Sequence, residues 1–407
     1  MGYVDRPFYL SRLEGFIGSP MAKVLTGMRR SGKSVLLQLL RDRLAARGVS
    51  PEQIVYLNFD AMENDAFRTA AALNEHLIGL LPADRAGFVL LDEIQGVDGW
   101  ERVVNSLIAR GGVDLYLTGS NSTLLSSELA TYIAGRYVSL EVATLSFSEF
   151  LAFARANGQD GDIDSQFGRY LTRGGFAGLF AADYTDEQTR QIVTDIWGSA
   201  VIRDVVQRRS IRSPEAFERV ARFALDNIGI PFSARRVSEF LKSQSKTVSH
   251  ETVAEYLAAM AEAYLVRRVP RFDLRGRGYL ASTEKYYAGD HGLVSALLGH
   301  SPTRLPGLLE NIVQAELRLR GYVVSVGKLD ENEIDFVAQR RDERLYLQVT
   351  TTALEQSVMA REMRPLLAIR DAYPKYVLSM DRIAQGNDMG VQQRWIPEFL
   401  LADDWSA

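Results

Sequence analysis

The chain has 407 residues, a length that exceeds one ordinary hydrophobic core and predicts two or three domains. Its 46% hydrophobic and 24% charged residues are those of a folded protein. A formal charge of −4 excludes a global attraction to nucleic acid or anionic membrane, so any such binding must be local.

The first residues, Met1-Gly2-Tyr3-Val4-Asp5-Arg6-Pro7, show no basic region followed by an apolar run, so no signal peptide is expected. No stretch approaches ~18 uninterrupted apolar residues, so neither a membrane span nor a membrane partner is expected. Cysteine is absent, which excludes disulfides, zinc ribbons and thiol catalysis and, with the missing leader, points to the cytoplasm. Of the 47 basic residues 7 are Lys and 40 are Arg, spread along the whole chain, a distribution that favours compositional bias over a dedicated phosphate surface.

Up to about residue 145, short apolar runs alternate with helical patterns. The runs are Ala22–Thr26, Ile54–Phe59, Phe88–Asp92, Leu115–Thr118 and Tyr137–Val142. Between them Ser34–Arg47, Phe67–Leu81, Trp100–Ala109 and Ser122–Ala134 have helical spacing. Such alternation predicts a parallel sheet covered on both faces. From Ser146 to about Arg209 the pattern is mostly helical, broken at Gly158–Gly161 and at Gly174-Gly175.

Three helical stretches follow, Pro214–Asn227, Ser233–Ser243 and Ser249–Ala263, each starting near a serine suited to capping. Leu265–Phe272 and Lys285–Ala288 then read as a β-pair around Arg275-Gly276-Arg277-Gly278, completing the layout of a winged helix-turn-helix. Beyond His300 a helix at Leu308–Arg320, strands at Tyr322–Val326, Ile334–Ala338 and Leu345–Val349, and a helix around Met359–Arg370 suggest a third unit.

Gly27-Met28-Arg29-Arg30-Ser31-Gly32-Lys33-Ser34 matches G-x-x-x-x-G-K-[ST] in full, between a strand and a helix as that motif requires. Two glycines let the loop curl so that backbone N–H groups face phosphate oxygens. The expected binding residues are therefore Gly27, Arg30, Ser31, Gly32, Lys33, Ser34 and Val35. Lys33 would reach the β- and γ-phosphates of ATP and Ser34 a Mg2+ ion, at the positive end of the following helix.

Phe88-Val89-Leu90-Leu91-Asp92-Glu93 is a buried-strand run ending in two carboxylates, the form of a Walker B segment. Asp92 would share the metal with Ser34, and Glu93 would orient or deprotonate the attacking water. Ser120 or Asn121, at the end of Leu115–Thr118, would sense the γ-phosphate, with Thr118 the lesser choice. Arg136 would pair with the γ-phosphate or with a neighbouring subunit's nucleotide, an oligomer being compatible with that role; Arg203 is a weaker alternative.

Together with Ala134-Gly135-Arg136, Leu145-Ser146-Phe147-Ser148-Glu149-Phe150, Gly174-Gly175-Phe176, Asp290-His291-Gly292-Leu293 and Leu308-Leu309-Glu310-Asn311, these segments resemble the prokaryotic AAA-superfamily ATPases with a C-terminal domain of unknown function. The resemblance covers nearly the whole chain. It implies an α/β fold class: a P-loop NTPase parallel sheet with helices on both faces, then a helical and winged-helix segment and a smaller α/β restriction-endonuclease-like domain. The expected domains are 1–150 (ATPase), 151–212 (helical lid), 213–295 (winged helix) and 300–407 (nuclease-like).

Nucleases of that fold use a helix glutamate, a strand aspartate and (D/E)-x-K on the next strand. Glu310 and Asp335 take the first two positions, but the third reads Gln348-Val349-Thr350, without carboxylate or lysine. A degenerate nuclease fold follows, unless Lys328 substitutes from an adjacent strand. The segment Ser249–Ala263 carries His250, Glu251, Glu255 and Glu262 and no Lys or Arg, so DNA contact would fall to Arg267, Arg268, Arg271, Arg275 and Arg277. The resulting expectation is an ATPase whose nucleotide state moves these segments on nucleic acid or on a protein partner. Its rivals are a nucleotide-bound switch acting through protein contacts alone and an ATP-gated nuclease.

Overall fold

The computed structural model describes residues 3–81, 86–120, 135–382 and 386–405. The chain divides into two compact units, Met1–Thr144 with Glu262–Tyr264, and Leu145–Ala261 with Leu265–Ala407.

In the first unit, strands β1 (Ala22–Thr26), β2 (Ile54–Asn58), β3 (Gly87–Asp92), β4 (Val113–Thr118) and β5 (Tyr137–Glu141) form a parallel sheet in the order β2-β3-β4-β1-β5. Every residue of β1 and β3 is buried, as for strands covered on both faces, and Lys23 within β1 is paired with the buried Asp114 of β4. Alternate residues Ala22 and Val24, Val89 and Leu91, and Leu115 and Leu117 join one core with Leu73, Leu77, Val103, Val104 and Leu107. The last five belong to helices α3 (Ala70–Leu80) and α4 (Trp100–Arg110). Helix α2 (Lys33–Ala46) packs against β3 and β4, and α1 (Pro7–Glu14) against α2. The helix expected at Ser122–Ala134 lies outside the described residues.

Helices dominate the first half of the second unit. They are α5 (Phe147–Ala156), α6 (Ile163–Arg173), α7 (Asp186–Ala200), α8 (Pro214–Asp226), α9 (Ala234–Ser243), α10 (His250–Glu262) and α11 (His291–Leu298). Ser146 opens α5 with a capping box, its side chain accepting from Glu149 N–H while Glu149 accepts from Ser146 N–H. Ser213, Ser233 and Ser249 accept from the backbone N–H three residues on, as the serine spacing anticipates.

Two of the short sequence signatures meet at one point. Asp290 accepts from Gly175 N–H at 2.9 Å and from Gly292 N–H at 2.8 Å. Gly174 has φ +80°, and a Cβ there would lie 2.1 Å from Asp290 Oδ1, so only glycine fits. Gly174-Gly175 and Asp290-x-Gly292 are thus two halves of one packing contact.

The remaining strands form one eight-stranded sheet in the order β12-β13-β11-β10-β9-β8-β6-β7. Its members are β6 (Val266–Asp273), β7 (Gly278–Ala288), β8 (Val323–Leu329), β9 (Asn332–Arg340), β10 (Glu343–Val349), β11 (Lys375–Ser379), β12 (Gly386–Asp388) and β13 (Val391–Trp395). Helices α12 (Leu305–Leu319) and α13 (Gln356–Leu367) pack on it. The hairpin is longer than the expected β-pair and is part of this sheet. Strand β7 extends back to Gly278, and β6 pairs antiparallel with β7 on one side and parallel with β8 on the other. A strand bonded on both sides is interior, so the hairpin is the sheet's margin rather than a separate appendage. No helix among the described residues is long and apolar enough to cross a membrane.

Replacing Asp290 by Ala would orphan the buried Gly175 and Gly292 N–H groups, with an expected loss of about 2 kcal/mol or more in urea-unfolding stability. An unchanged midpoint would show that this contact carries no stability.

Candidate nucleotide site

Because the five strands of the first unit run in one direction, their C-terminal ends lie along one edge. That edge carries Gly27 after β1, Asp92 and Glu93 at the end of β3, and Thr118 at the end of β4. The adjoining loop, Gly27–Gly32, is shaped by backbone rather than side chain. Gly27 has φ +143°, and a Cβ there would lie 2.2 Å from the Val142 carbonyl oxygen. Gly32, at φ 98°, caps α2 from the left-handed region.

Lys33 is buried, and its ammonium donates to the carbonyls of Gly27 at 3.0 Å and Met28 at 3.1 Å. These are loop acceptors that phosphate oxygens can replace. The Ser31 hydroxyl is buried within the loop without a hydrogen-bond partner, while Arg30 is exposed and Ser34 and Val35 are half-buried at the start of α2. An orphaned hydroxyl, a buried ammonium and a loop of inward-curled backbone fit a polyanion.

Behind the loop stands Arg6, only 3% exposed. Its guanidinium donates to Ser31 O at 2.9 Å, Ala143 O at 3.0 Å and Thr144 O at 3.4 Å, and lies 4.4 Å from the Tyr9 ring centroid. Nothing in the local sequence marks it apart from the other arginines; the Pro7 that starts α1 is the one nearby cue.

At the acidic end the arrangement is tight. Thr118 Oγ1 donates to Asp92 Oδ1 and accepts from Glu93 N–H at 2.9 Å. Tyr56 OH donates to Asp92 Oδ2 at 3.1 Å; burial first, with help from Asp92, pushes that phenol up to about 12. Glu93 sits at φ 53°, ψ 47°, a left-handed conformation that costs a non-glycine residue about 1–3 kcal/mol. Gln95 Nε2 donates to Glu93 Oε2. Burial holds the Glu93 carboxyl above the ordinary glutamate range, against the opposing pull of Lys33 and Gln95. A hydroxyl and a carboxylate, from Ser34 and Asp92, are the hard oxygen donors that Mg2+ takes.

The polar partner of the Walker-type carboxylates is therefore Thr118, the lesser choice on sequence grounds. Ser120 is buried just beyond it, and Asn121 lies outside the described residues. Arg136 stands elsewhere. Its carbonyl accepts from Ala22 N–H, at the N-terminal end of β1, and β5 starts beside it in parallel register. Five strand residues, ~16 Å, separate it from the loop edge, beyond one arginine's reach. That distance corrects the pairing with this chain's own γ-phosphate. Arg203 is exposed in a π-helical turn, Val201–Gln207.

In the second unit, Glu310 on α12 and Asp335 on β9 come together around a lysine from β7. Lys285 Nζ lies 3.0 Å from Glu310, 3.1 Å from Asp335 and 3.2 Å from Glu333. Gln348 accepts from Asp335 N–H at 2.7 Å and donates to Glu362 at 3.0 Å, and Thr350 Oγ1 donates to Thr352 O at 3.1 Å, so both are used locally. Of the hairpin arginines, Arg268 pairs with Glu284, Arg275 with Asp330 at 2.7 Å and Arg271 with Glu333 at 3.8 Å; Arg277 is exposed, and Arg267 is half-buried.

Residues 19–151 match the model of an AAA domain, and residues 164–304 match a domain of unknown function, DUF8612. An uncharacterized protein of Haemophilus influenzae is 36% identical over 399 residues, covering 98% of each chain. One from Methanocaldococcus jannaschii is 29% identical, covering 79% of this chain and 70% of its own. Among solved structures, a Walker-type ATPase of Pyrococcus abyssi is similar in fold, with a TM-score of 0.50 at 13% identity, over 73% of this chain and 96% of that one.

Arg6→Ala would leave the Ser31 carbonyl without its charged donor, and ATP affinity by calorimetry is expected to fall about tenfold. Arg6→Lys should recover part of it. Unchanged affinity in Arg6→Ala would separate Arg6 from the loop's function.

Proposed function

We propose that this chain, which belongs to one family with the Haemophilus influenzae protein and matches an AAA domain over residues 19–151, is a P-loop ATPase that hydrolyses ATP to ADP and phosphate. Its nucleotide state then governs how the second unit engages a macromolecular partner. One observation carries the step from binding to hydrolysis: Thr118 fixes both Asp92 and the backbone of Glu93 on the edge that bears the phosphate loop.

In this mechanism Lys33 exchanges its loop carbonyls for the β- and γ-phosphate oxygens, and the loop N–H groups from Arg30 to Val35 line the anion. Ser34 and Asp92 would hold Mg2+, which would supply neutralisation of the phosphate charge. Glu93 accepts a proton from the attacking water as the water oxygen bonds to the γ-phosphorus and the bridging bond to ADP breaks. Its raised proton affinity suits it to that task. Ser120 or Asn121 registers the γ-phosphate, and Arg136 acts on a neighbouring subunit's nucleotide in an oligomer.

As to partner, the neutralised arginines of the hairpin favour protein contact over DNA. Arg268, Arg271 and Arg275 face carboxylates, and α10 carries Glu251, Glu255 and Glu262 without Lys or Arg. Salt-dependent DNA binding that falls on Arg275→Ala and Arg277→Ala would reverse that preference.

Glu93→Gln is expected to keep ATP binding and lower turnover by about 10²–10⁴-fold, whereas Lys33→Ala should weaken binding itself. ATPase activity untouched by both substitutions would sink the proposal. For pH the sign is set by the base role, since a carboxylate must be ionised to take a proton. The acid-side fall in turnover should therefore begin at higher pH than an ordinary glutamate gives. A pH–rate profile that falls only in the usual carboxylate range would remove Glu93 as the base.

A further inference from the structure

The nuclease-like cluster resolves in a way that the missing third-strand lysine does not suggest. Lys285 comes from β7, more than twenty residues before Glu310 in sequence, and its side chain is 2% exposed. Its ammonium donates to Glu310 Oε2 and Asp335 Oδ1 and lies 3.2 Å from Glu333 Oε1. Tyr287, two residues on and on the same strand face, donates to Glu310 Oε2 at 2.7 Å.

A divalent cation does not fit this arrangement. Mg2+ needs oxygen ligands at about 2.0–2.1 Å in octahedral array, whereas the carboxylate oxygens stand at 3.0–3.2 Å from a nitrogen, the spacing of charge-assisted hydrogen bonds. The other Asp335 oxygen accepts from Val349 N–H at 3.0 Å, and Gln348 fills the place of the third-strand carboxylate with a neutral amide. Among the described residues no group of acidic or histidine side chains is arranged to hold a metal. Burial alone would lower the Lys285 pKa, but Asp335, Glu310 and Glu333 together hold it above the ordinary lysine value, so the ammonium stays charged.

We propose that the Lys285 ammonium is this site's own cation: it stands where a nuclease of this fold would bind a divalent ion, and it makes the cluster a metal-independent clamp between β7, α12 and β9. The protein then has no hydrolytic metal centre in this unit. Its carboxylates serve to hold the hairpin on the sheet.

Mn2+ titration followed by electron paramagnetic resonance, without nucleotide, tests this on the full chain. Wild type should show no Mn2+ site that Asp335→Asn removes. Lys285→Ala should gain a stoichiometric site, lost again when Asp335→Asn is added. Because an unpaired acidic cluster destabilises, the same variant should melt lower than wild type in EDTA and recover in Mn2+, while wild-type melting ignores both additions. Should Lys285→Ala be unfolded in EDTA, Mn2+ is expected to restore its circular dichroism. An Asp335-dependent Mn2+ site in wild type overturns the proposal. So does a Lys285→Ala protein that neither binds Mn2+ at Asp335 nor recovers with it.

Discussion

Parallel strand direction is the constraint on which the nucleotide site depends. With β1, β3 and β4 all pointing the same way, three separate stretches of chain deliver their last residues to one edge: Gly27, Asp92 with Glu93, and Thr118. Strands β1 and β3 are buried on both faces, with Lys23 of β1 neutralised by Asp114 of β4, and the polar groups of the site gather at the strand ends. That division makes a polar site affordable in a protein core. Asp92 is completely buried, and it is tolerated because Thr118 and Tyr56 each donate to it.

The loop is held from the rear by equally specific means. Gly27 permits contact with the Val142 carbonyl that any side chain would forbid, and Arg6 fastens Ser31 to the segment following β5. Strain at Glu93 is retained inside this frame by the hydrogen bond from its own N–H to Thr118. A left-handed glutamate at the turn after a buried strand directs its carboxylate somewhere an ordinary strand continuation would not.

Much of this was legible in the sequence where the signal is local. The run Ala22–Thr26 is strand β1 to the residue, and the G-x-x-x-x-G-K-S spacing identifies the loop because its chemistry lies within eight consecutive positions. Glycine pairs at 174–175 and the aspartate at 290 announce themselves as signatures, yet their shared purpose appears only when the two segments meet. What was not legible is long-range pairing. Arg6 is one of 40 arginines, Thr118 one more residue at a strand end, and Lys285 lies on the strand of a hairpin whose sequence reads as a wing. Each acquires its meaning from partners 25 to 138 residues away or, for Lys285, from Glu310 at 25 and Asp335 at 50. No periodicity carries such distances.

The position of β6 between β7 and β8 bears on how this chain can be divided. The region that matches DUF8612 stops at residue 304, before β8 begins at Val323. A polypeptide ending there would keep the hairpin and lose the strands beside it, leaving the backbone groups of β6 that face β8 unpaired and open to a second chain. It would also lose Glu310, Glu333 and Asp335, stranding Lys285 in apolar surroundings. The matched region thus ends at a boundary that the hydrogen-bonded sheet does not respect.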